Sequence, residues 1–536
     1  MPAIEAIYSE SARRREQPIA SPGHLRGTTI TLILTALVWL TGCTTNPVTG
    51  KTELALIGDA AMIQQGAAAY APLQQQGGGL YTADPGLGKY VHDVAARVTK
   101  VSAAPLDYDI VVLNDSTPNA WALPGGKLAV NRGLLMALEN EAELAAVIGH
   151  EIVHAAARHG GRRTNRNLLL QGVLAVTNTA LEDNDFREQI LDGFGTSAQV
   201  LSQSYSRGDE FMADEYGMEY MHRAGYDPAA AVTLQQKFVE MHGDRQSGLM
   251  ERLFASHPPS PERVRRNQGT LARLGAGGDT GQTRYQQATE YLRAKLPAYR
   301  AFDRGTQLLA AGEQAAALAS AQQAIQLEPK EARFHGLLGE IHLTQAEYGS
   351  ARNAFNAALE RDDNFYLYYL GRGQASAGLG QTVAARKDFQ RSMQLLPNAV
   401  ASNELGKLTL AAGEPSEAKI WFREAASLGG AAGTEAANAW LRIDVTDAPS
   451  RHIEASGSIN PGNGAVIALV TNRTNLSLTD VIIEFHAVRN GRQIQQQVRL
   501  PRLGAKAQVS VGSGWTYREN APLGKLMAVA RSARVP

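Results

Sequence analysis

The chain of 536 residues carries 52 Lys and Arg against 52 Asp and Glu, a formal net charge of zero, with 19% charged and 44% apolar residues. That balance excludes attraction to nucleic acid or to an acidic substrate by bulk charge, so partners must be chosen by local surfaces. The length implies three or four domains with ordinary globular cores, and the single cysteine, Cys43, excludes a disulfide framework.

In chain order, the first feature is Thr28 to Leu40, an uncharged and mostly apolar run preceded by Arg13, Arg14, Arg15 and Arg26. It has the size of a signal-peptide core and is too short to span a bilayer comfortably. The run ends in Leu40-Thr41-Gly42-Cys43, which resembles the bacterial lipobox, where cleavage precedes the Cys and that Cys receives lipid. A lone Cys so placed is better explained as a lipid anchor than as a redox centre or structural thiol. Residues 1-43 therefore read as a lipoprotein signal peptide ending at the lipidation site Cys43. Thr44 rather than Asp follows it, which by resemblance to Gram-negative lipoprotein sorting implies the outer membrane, facing the periplasm. An uncleaved inner-membrane anchor is the alternative, disfavoured by the short apolar run.

Asn119-Ala120-Trp121-Ala122-Leu123 reads as a strand ending in the turn Pro124-Gly125-Gly126. From Leu134 to Gly149 good helix formers dominate, with apolar residues at three- and four-residue spacing, so His150-Glu151-Ile152-Val153-His154 is expected inside one long buried helix. Residues i and i+4 share a helix face, so both imidazoles can reach one zinc ion at about 2.0–2.1 Å, with Glu151 beside them as a general base. A buried helix does not carry two imidazoles and a carboxylate unless they are paired or bind metal, because an uncompensated buried charge is costly. A catalytic zinc needs a third protein ligand. Glu210 is the best candidate, and Asp214, one turn further on the same face, can accept a hydrogen bond from a ligand imidazole and fix its aim. The plain alternative for either acid is an exposed helix carboxylate.

HEIVH at 150-154, Arg207-Gly208-Asp209-Glu210-Phe211-Met212-Ala213-Asp214 and Tyr220-Met221-His222-Arg223-Ala224-Gly225-Tyr226-Asp227-Pro228 occur in this order. Together they resemble the M48 family of zinc metallopeptidases, and within it the bacterial envelope members that join a peptidase to tetratricopeptide repeats. The resemblance implies a peptidase domain over 44-275 with one Zn2+ per chain. His150, His154 and Glu210 would hold the zinc, with Glu151 as general base and proton shuttle, and Asn119, Ala120, Trp121 and Ala122 as a substrate-binding strand. An extended peptide adding to that strand would be held through its backbone, with little demand on side chains. Ser256-His257-Pro258-Pro259-Ser260-Pro261-Glu262-Arg263 is similar to the family's His-Pro segment. It implies His257 as a regulatory fourth ligand that must move for activity, against the alternative of a loop His without metal contact. Arg263 either stabilises an oxyanion or makes an ordinary salt bridge.

Between Asn165 and Ser206 lies an insertion, apolar at Leu168 to Val176 and polar at Glu182-Asp183-Asn184-Asp185, that either overhangs the site or packs on the core. Across 297-430, Gly305, Gly339, Gly371 and Gly406 recur 34, 32 and 35 residues apart, and Phe355, Phe389 and Phe422 recur 34 and 33 apart. That is the tetratricopeptide period, two helices per unit, with room for about four units. Tyr366, Tyr368, Tyr369, Arg372 and Asn403 are candidates for an exposed groove, with core packing as the alternative. Across 451-536, short β-branched runs and the turn Asn490-Gly491 read as a small antiparallel β-sandwich.

The expected fold is multidomain: a mainly α zincin-type peptidase domain, an α-helical repeat superhelix and a C-terminal β-sandwich. The expected function is a zinc endopeptidase of the bacterial envelope that degrades misfolded or stalled outer-membrane proteins. The repeats would dock clients or the barrel-assembly machinery, and a lipid anchor would hold the chain at the membrane. Two alternatives stay open, a chaperone or adaptor with a latent zinc site and a zinc hydrolase that does not act on peptides.

Overall fold

The computed structural model describes residues 43–54, 58–161, 205–243, 250–518 and 522–536. The leader, the lipobox apart from the backbone of Cys43, and nearly all of the insertion lie outside those residues. Among the described residues no helix is long and apolar enough to cross a membrane. The chain divides into two compact units. One holds described residues up to Tyr70 with Lys89–Val111 and Thr117–Gln287, and the other holds Ala71–Gly88, Val112–Ser116 and Ala288–Pro536.

In the first unit, strands β1 (Cys43–Thr45) and β2 (Thr52–Leu54) pair antiparallel. Strands β3 (Asp109–Leu113), which begins in this unit and runs on into the second, β4 (Ala120–Leu123) and β5 (Lys127–Asn131) form a sheet in the order β3-β5-β4. β4 and β5 are antiparallel about the Pro-Gly-Gly turn, which leaves β4 at the end of the sheet. Helix Glu141–Ala156 packs on this sheet. All its residues except Val147 and His150 are buried, as expected of a helix that is apolar nearly all round.

One correction concerns the start of that helix. The continuous run expected from Leu134 is broken into a short helix, Arg132–Ala137, and the long one, because Asn140 caps the second. Its Oδ1 accepts the Glu143 amide at 2.9 Å, satisfying a donor that the first helical turn leaves without a partner. Glu141, fully buried in the first turn, accepts from Tyr90 at 2.7 Å and Tyr226 at 2.8 Å. It is also paired with Arg284, at 3.0 Å through two nitrogens, and with Arg97 at 3.1 Å. A buried carboxylate with this many charge-assisted partners fixes the helix start in three directions.

The second unit contains four helix pairs: Leu296–Ala310 with Gln314–Leu327, Ala332–Thr344 with Tyr348–Leu359, Tyr366–Gly378 with Thr382–Leu395, and Ala399–Ala411 with Pro415–Leu428. The recurring Gly and Phe explain the period. A Cβ at Gly371 would meet the Phe355 ring and one at Gly406 the Phe422 ring, so each ring lies where a larger residue would stand. Two candidate groove residues are corrected. Tyr368 and Asn403 are each 2% exposed, Tyr368 within an apolar cluster, because both face neighbouring helices. Arg372 is held by Asp388 at 2.7 and 2.9 Å.

The C-terminal strands are β6 (Ile453–Ile459), β7 (Ala465–Asn472), β8 (Leu478–Arg489), β9 (Arg492–Leu503), β10 (Gln508–Thr516) and β11 (Leu523–Arg534). They form two three-stranded sheets, β10-β7-β6 and β11-β8-β9. Val466, Ala468 and Val470 of one sheet and Val481, Ile483 and Phe485 of the other share one core, the alternation that a half-buried strand dictates. Burying a side chain such as Phe485 contributes about 2–3 kcal/mol.

Candidate metal centre

Two helices bring the site together. Glu141–Ala156 carries His150, Glu151 and His154, and Arg207–Arg223 carries Glu210 and Asp214. They cross at Gly149 and Gly217, where an added Cβ on Gly149 would stand 2.7 Å from the Gly217 carbonyl oxygen. The second helix starts at a capping box, in which the Ser206 side chain accepts the Asp209 amide and Asp209 accepts the Ser206 amide. That start puts Glu210 in the first turn, 3% exposed, with Asp214 one turn on.

One ligand atom from each of His150, His154, Glu210 and His257 falls within 4.8 Å of all the others, so the four can hold a metal ion. Nε2 of His150 lies 3.0 Å from Nε2 of His154, and Nε2 of His154 lies 3.3 Å from Oε1 of Glu210. Nδ1 of His257 lies 3.0 Å from Oε1 of Glu210 and 3.2 Å from Nε2 of His150. His257 is delivered by the C-terminal end of helix Glu251–Ser256, just ahead of helix Pro261–Leu274. Oε1 of Glu151 stands 3.5 Å from His257, while its Oε2 is buried with no hydrogen-bond partner among the described residues.

The surrounding charges orient this set. Nδ1 of His150 lies 3.0 Å from Oδ1 of Asp214, the contact expected of an outer partner that fixes tautomer and ring aim. Arg263 in turn grips Asp214, through Nε at 2.7 Å and Nη2 at 2.6 Å, and its Nη1 lies 2.8 Å from Oε2 of Glu210. The ion-pair alternative for Arg263 is thus the arrangement present, with all three guanidinium nitrogens on carboxylates.

Burial alone would lower the His150 pKa, but Glu210 and Asp214 outweigh it and hold it at about 10. His154 is pushed down to about 3, burial being the main cause. Burial pushes the Glu151 carboxyl up. Burial also opposes ionisation of Glu210, yet His257, His150 and Arg263 keep its carboxyl well below the usual range. A proton and a metal ion compete for the same lone pairs, so a field that holds a proton on His150 also favours a cation. Two imidazoles, a carboxylate and a displaceable third imidazole form a donor set that fits zinc-type coordination.

Two residues were not singled out in the sequence. His159 places Nδ1 2.8 Å from Nδ1 of His154, and Tyr205 stacks on the His154 ring with centroids 3.8 Å apart. A third His five residues beyond the pair was a visible signal for the first. Nothing local marked Tyr205. Ala120 of β4 lines the cavity that contains His150 and Glu151, and Asn119 accepts the Asn131 amide through its carbonyl at 2.9 Å.

A two-histidine helix with an adjacent glutamate, completed by a carboxylate from a second helix, is the donor arrangement of the HExxH metallohydrolases. Residues 85–270 match the family model described as Peptidase family M48, and the chain carries a domain of that family. It is 33% identical over 178 residues to the mitochondrial metalloendopeptidase OMA1 of Schizosaccharomyces pombe, covering 33% of this chain and 51% of that protein. It is 25% identical over 356 residues to the beta-barrel assembly-enhancing protease of Escherichia coli O157:H7, covering 60% of this chain and 73% of that protein. The chain thus spans about half the length of the fission-yeast relative. Among solved structures, a thermophilic TPR protein of Thermus thermophilus is similar at 18% identity and TM-score 0.25, covering 28% of this chain and 81% of its own.

Proposed function

We propose that this protein is a zinc-dependent endopeptidase of the bacterial cell envelope, anchored through lipid on Cys43 at the periplasmic face of the outer membrane. Its substrates are misfolded or stalled outer-membrane proteins. The carrying observation is the convergence of His150, His154, Glu210 and His257 within 4.8 Å, with Glu151 beside them, its Oε2 unpaired among the described residues. His150, His154 and Glu210 would hold the zinc, which would supply Lewis-acid polarisation of the scissile carbonyl and a lowered pKa for the attacking water. Glu151 takes that water's proton on Oε2 and delivers it to the leaving amine. Asp214 aims His150, and Arg263 holds Asp214 and Glu210, so both act through other residues. β4, at the end of its sheet, offers Asn119 to Ala122 as the edge to which an extended peptide adds.

His257 keeps the site latent until its loop moves, because its Nδ1 lies among the other donors. Residues 44-275 form the peptidase domain, and the repeats over 297-430 and the β-domain over 451-536 supply docking surfaces for clients or for the barrel-assembly machinery. The similarity to the beta-barrel assembly-enhancing protease of Escherichia coli supports that partner.

The test is cleavage of casein or an unfolded barrel protein by the form starting at Thr44, compared with Glu151→Gln and His257→Ala, with zinc content measured for each. Weak wild-type cleavage, faster His257→Ala and an inactive Glu151→Gln that retains zinc is the expected pattern. If none of the three cleaves despite bound zinc, a second reading takes its place: a chaperone or adaptor with a latent metal site, favoured by the fourth donor that closes the set.

A further inference from the structure

A cavity of about 60 Å³ opens beside His150 and Glu151. Leu134, Val147, Met218, Leu234, Phe238 and Leu253 give it an apolar wall, drawn from five different helices. Two carboxamides interrupt the wall, Gln235 at 5% exposure and Asn267 at 3%. Nε2 of Gln235 is buried without a hydrogen-bond partner among the described residues, and Asn267 lines the same cavity. Packing alone does not call for them, since leucine would fill either position without leaving a donor unpaired. A buried donor left unpaired costs free energy, so its retention at the wall of a cavity beside the metal centre points to a functional role.

We propose that this cavity is the subsite that selects a substrate side chain, and that it takes tyrosine. A large aromatic ring fits the apolar wall, and a phenolic hydroxyl both accepts from and donates to the waiting carboxamides. A lysine or carboxylate would be stripped of water against that wall. Gln235 and Asn267 are specificity-determining residues that touch the substrate without taking part in proton transfer. The assignment rests on the peptidase reading for its role, though the binding it describes does not require turnover.

The experiment measures binding, by competition NMR, of blocked peptides that are alanine except at one central position occupied by Tyr, Phe, Leu, Ala or Lys. The protein is the full zinc-loaded chain carrying Glu151→Gln, which removes turnover, alone and with His257→Ala. Tyr is expected to bind at least about tenfold tighter than Ala or Lys and about threefold tighter than Phe. Gln235→Leu and Asn267→Leu should each bring Tyr and Phe to within about twofold while leaving Phe over Ala intact. Ala binding as tightly as Tyr overturns the subsite. A uniform loss for all peptides in Gln235→Leu overturns the tyrosine assignment, because the amides would then hold the backbone. Tyrosine-selective binding in a protein whose wild type never cleaves leaves the subsite standing and removes the peptidase reading.

Discussion

Gly149 and Gly217 meet where the two ligand-bearing helices cross, and neither has room for a methyl group: an added Cβ would stand 2.7 Å from the Gly217 oxygen in one case and 2.9 Å from the His150 amide nitrogen in the other. The crossing sets how far Glu210 and Asp214 stand from His150 and His154. Gly217→Ala must push the helices apart, since the atoms it meets are backbone and cannot swing aside. The expected cost is about 1–3 kcal/mol of stability, with metal affinity, measured by chelator competition, falling at least about tenfold. A variant that binds metal like the wild type would show that the crossing does not set the site.

The Glu141 cluster predicts a pH dependence. Burial alone would raise the Glu141 carboxyl, but hydrogen bonds from Arg284, Tyr90 and Tyr226 outweigh it and hold it below the usual carboxylate value. A group whose folded pKa is depressed contributes stability above its unfolded pKa, about 4.5, and loses that contribution as pH falls through the folded value. Glu141→Gln should therefore destabilise helix Glu141–Ala156 by about 2 kcal/mol at pH 7, with the deficit shrinking below about pH 4. Hydrogen exchange of that helix at both pH values measures it. A deficit that does not change with pH would mean the ionised carboxylate contributes nothing.

His159 approaches the Nδ1 of His154, the nitrogen opposite the one facing Glu210. Outer partners of ligand imidazoles fix their tautomer and aim, and losing one typically costs about 10–100-fold in metal affinity. His159→Leu should show a loss of that size by chelator competition while the helix content stays unchanged. An unaltered affinity would reduce His159 to a packing residue.

Much of this site was legible in the chain because its motifs are local. His150 and His154 are one turn apart, and Glu210 and Asp214 repeat that spacing, so helix geometry alone placed each pair on a face. The repeats were legible because Gly and Phe recur at the repeat period, and several of them meet, Gly339 and Gly371 at Phe355 and Gly406 at Phe422. What escaped depends on contacts between distant segments. Asn140 looked like one more polar residue in a helical run until its cap was seen. Tyr368 and Asn403 carry no sign of which helix covers them. The Gln235–Asn267 wall exists only once separate helices converge on one cavity.

Arg263 tests whether charge or shape matters around the centre. Its Nε and Nη2 grip both oxygens of Asp214 while Nη1 reaches Glu210, and a lysine keeps the charge but cannot reproduce that fork. Arg263→Lys should fold, because the buried carboxylates keep a cation beside them, and should lose metal affinity by about tenfold as Asp214 and His150 lose their aim. Arg263→Leu leaves Asp214 and Glu210 with an uncompensated buried charge and should cost about 3–5 kcal/mol, to be read by denaturant unfolding. A residue acting directly on an oxyanion predicts the opposite signature for the lysine variant: unchanged metal affinity with a fall in kcat/KM on an unfolded protein substrate. Because all three guanidinium nitrogens are already directed at carboxylates, the metal-affinity loss is the expected result.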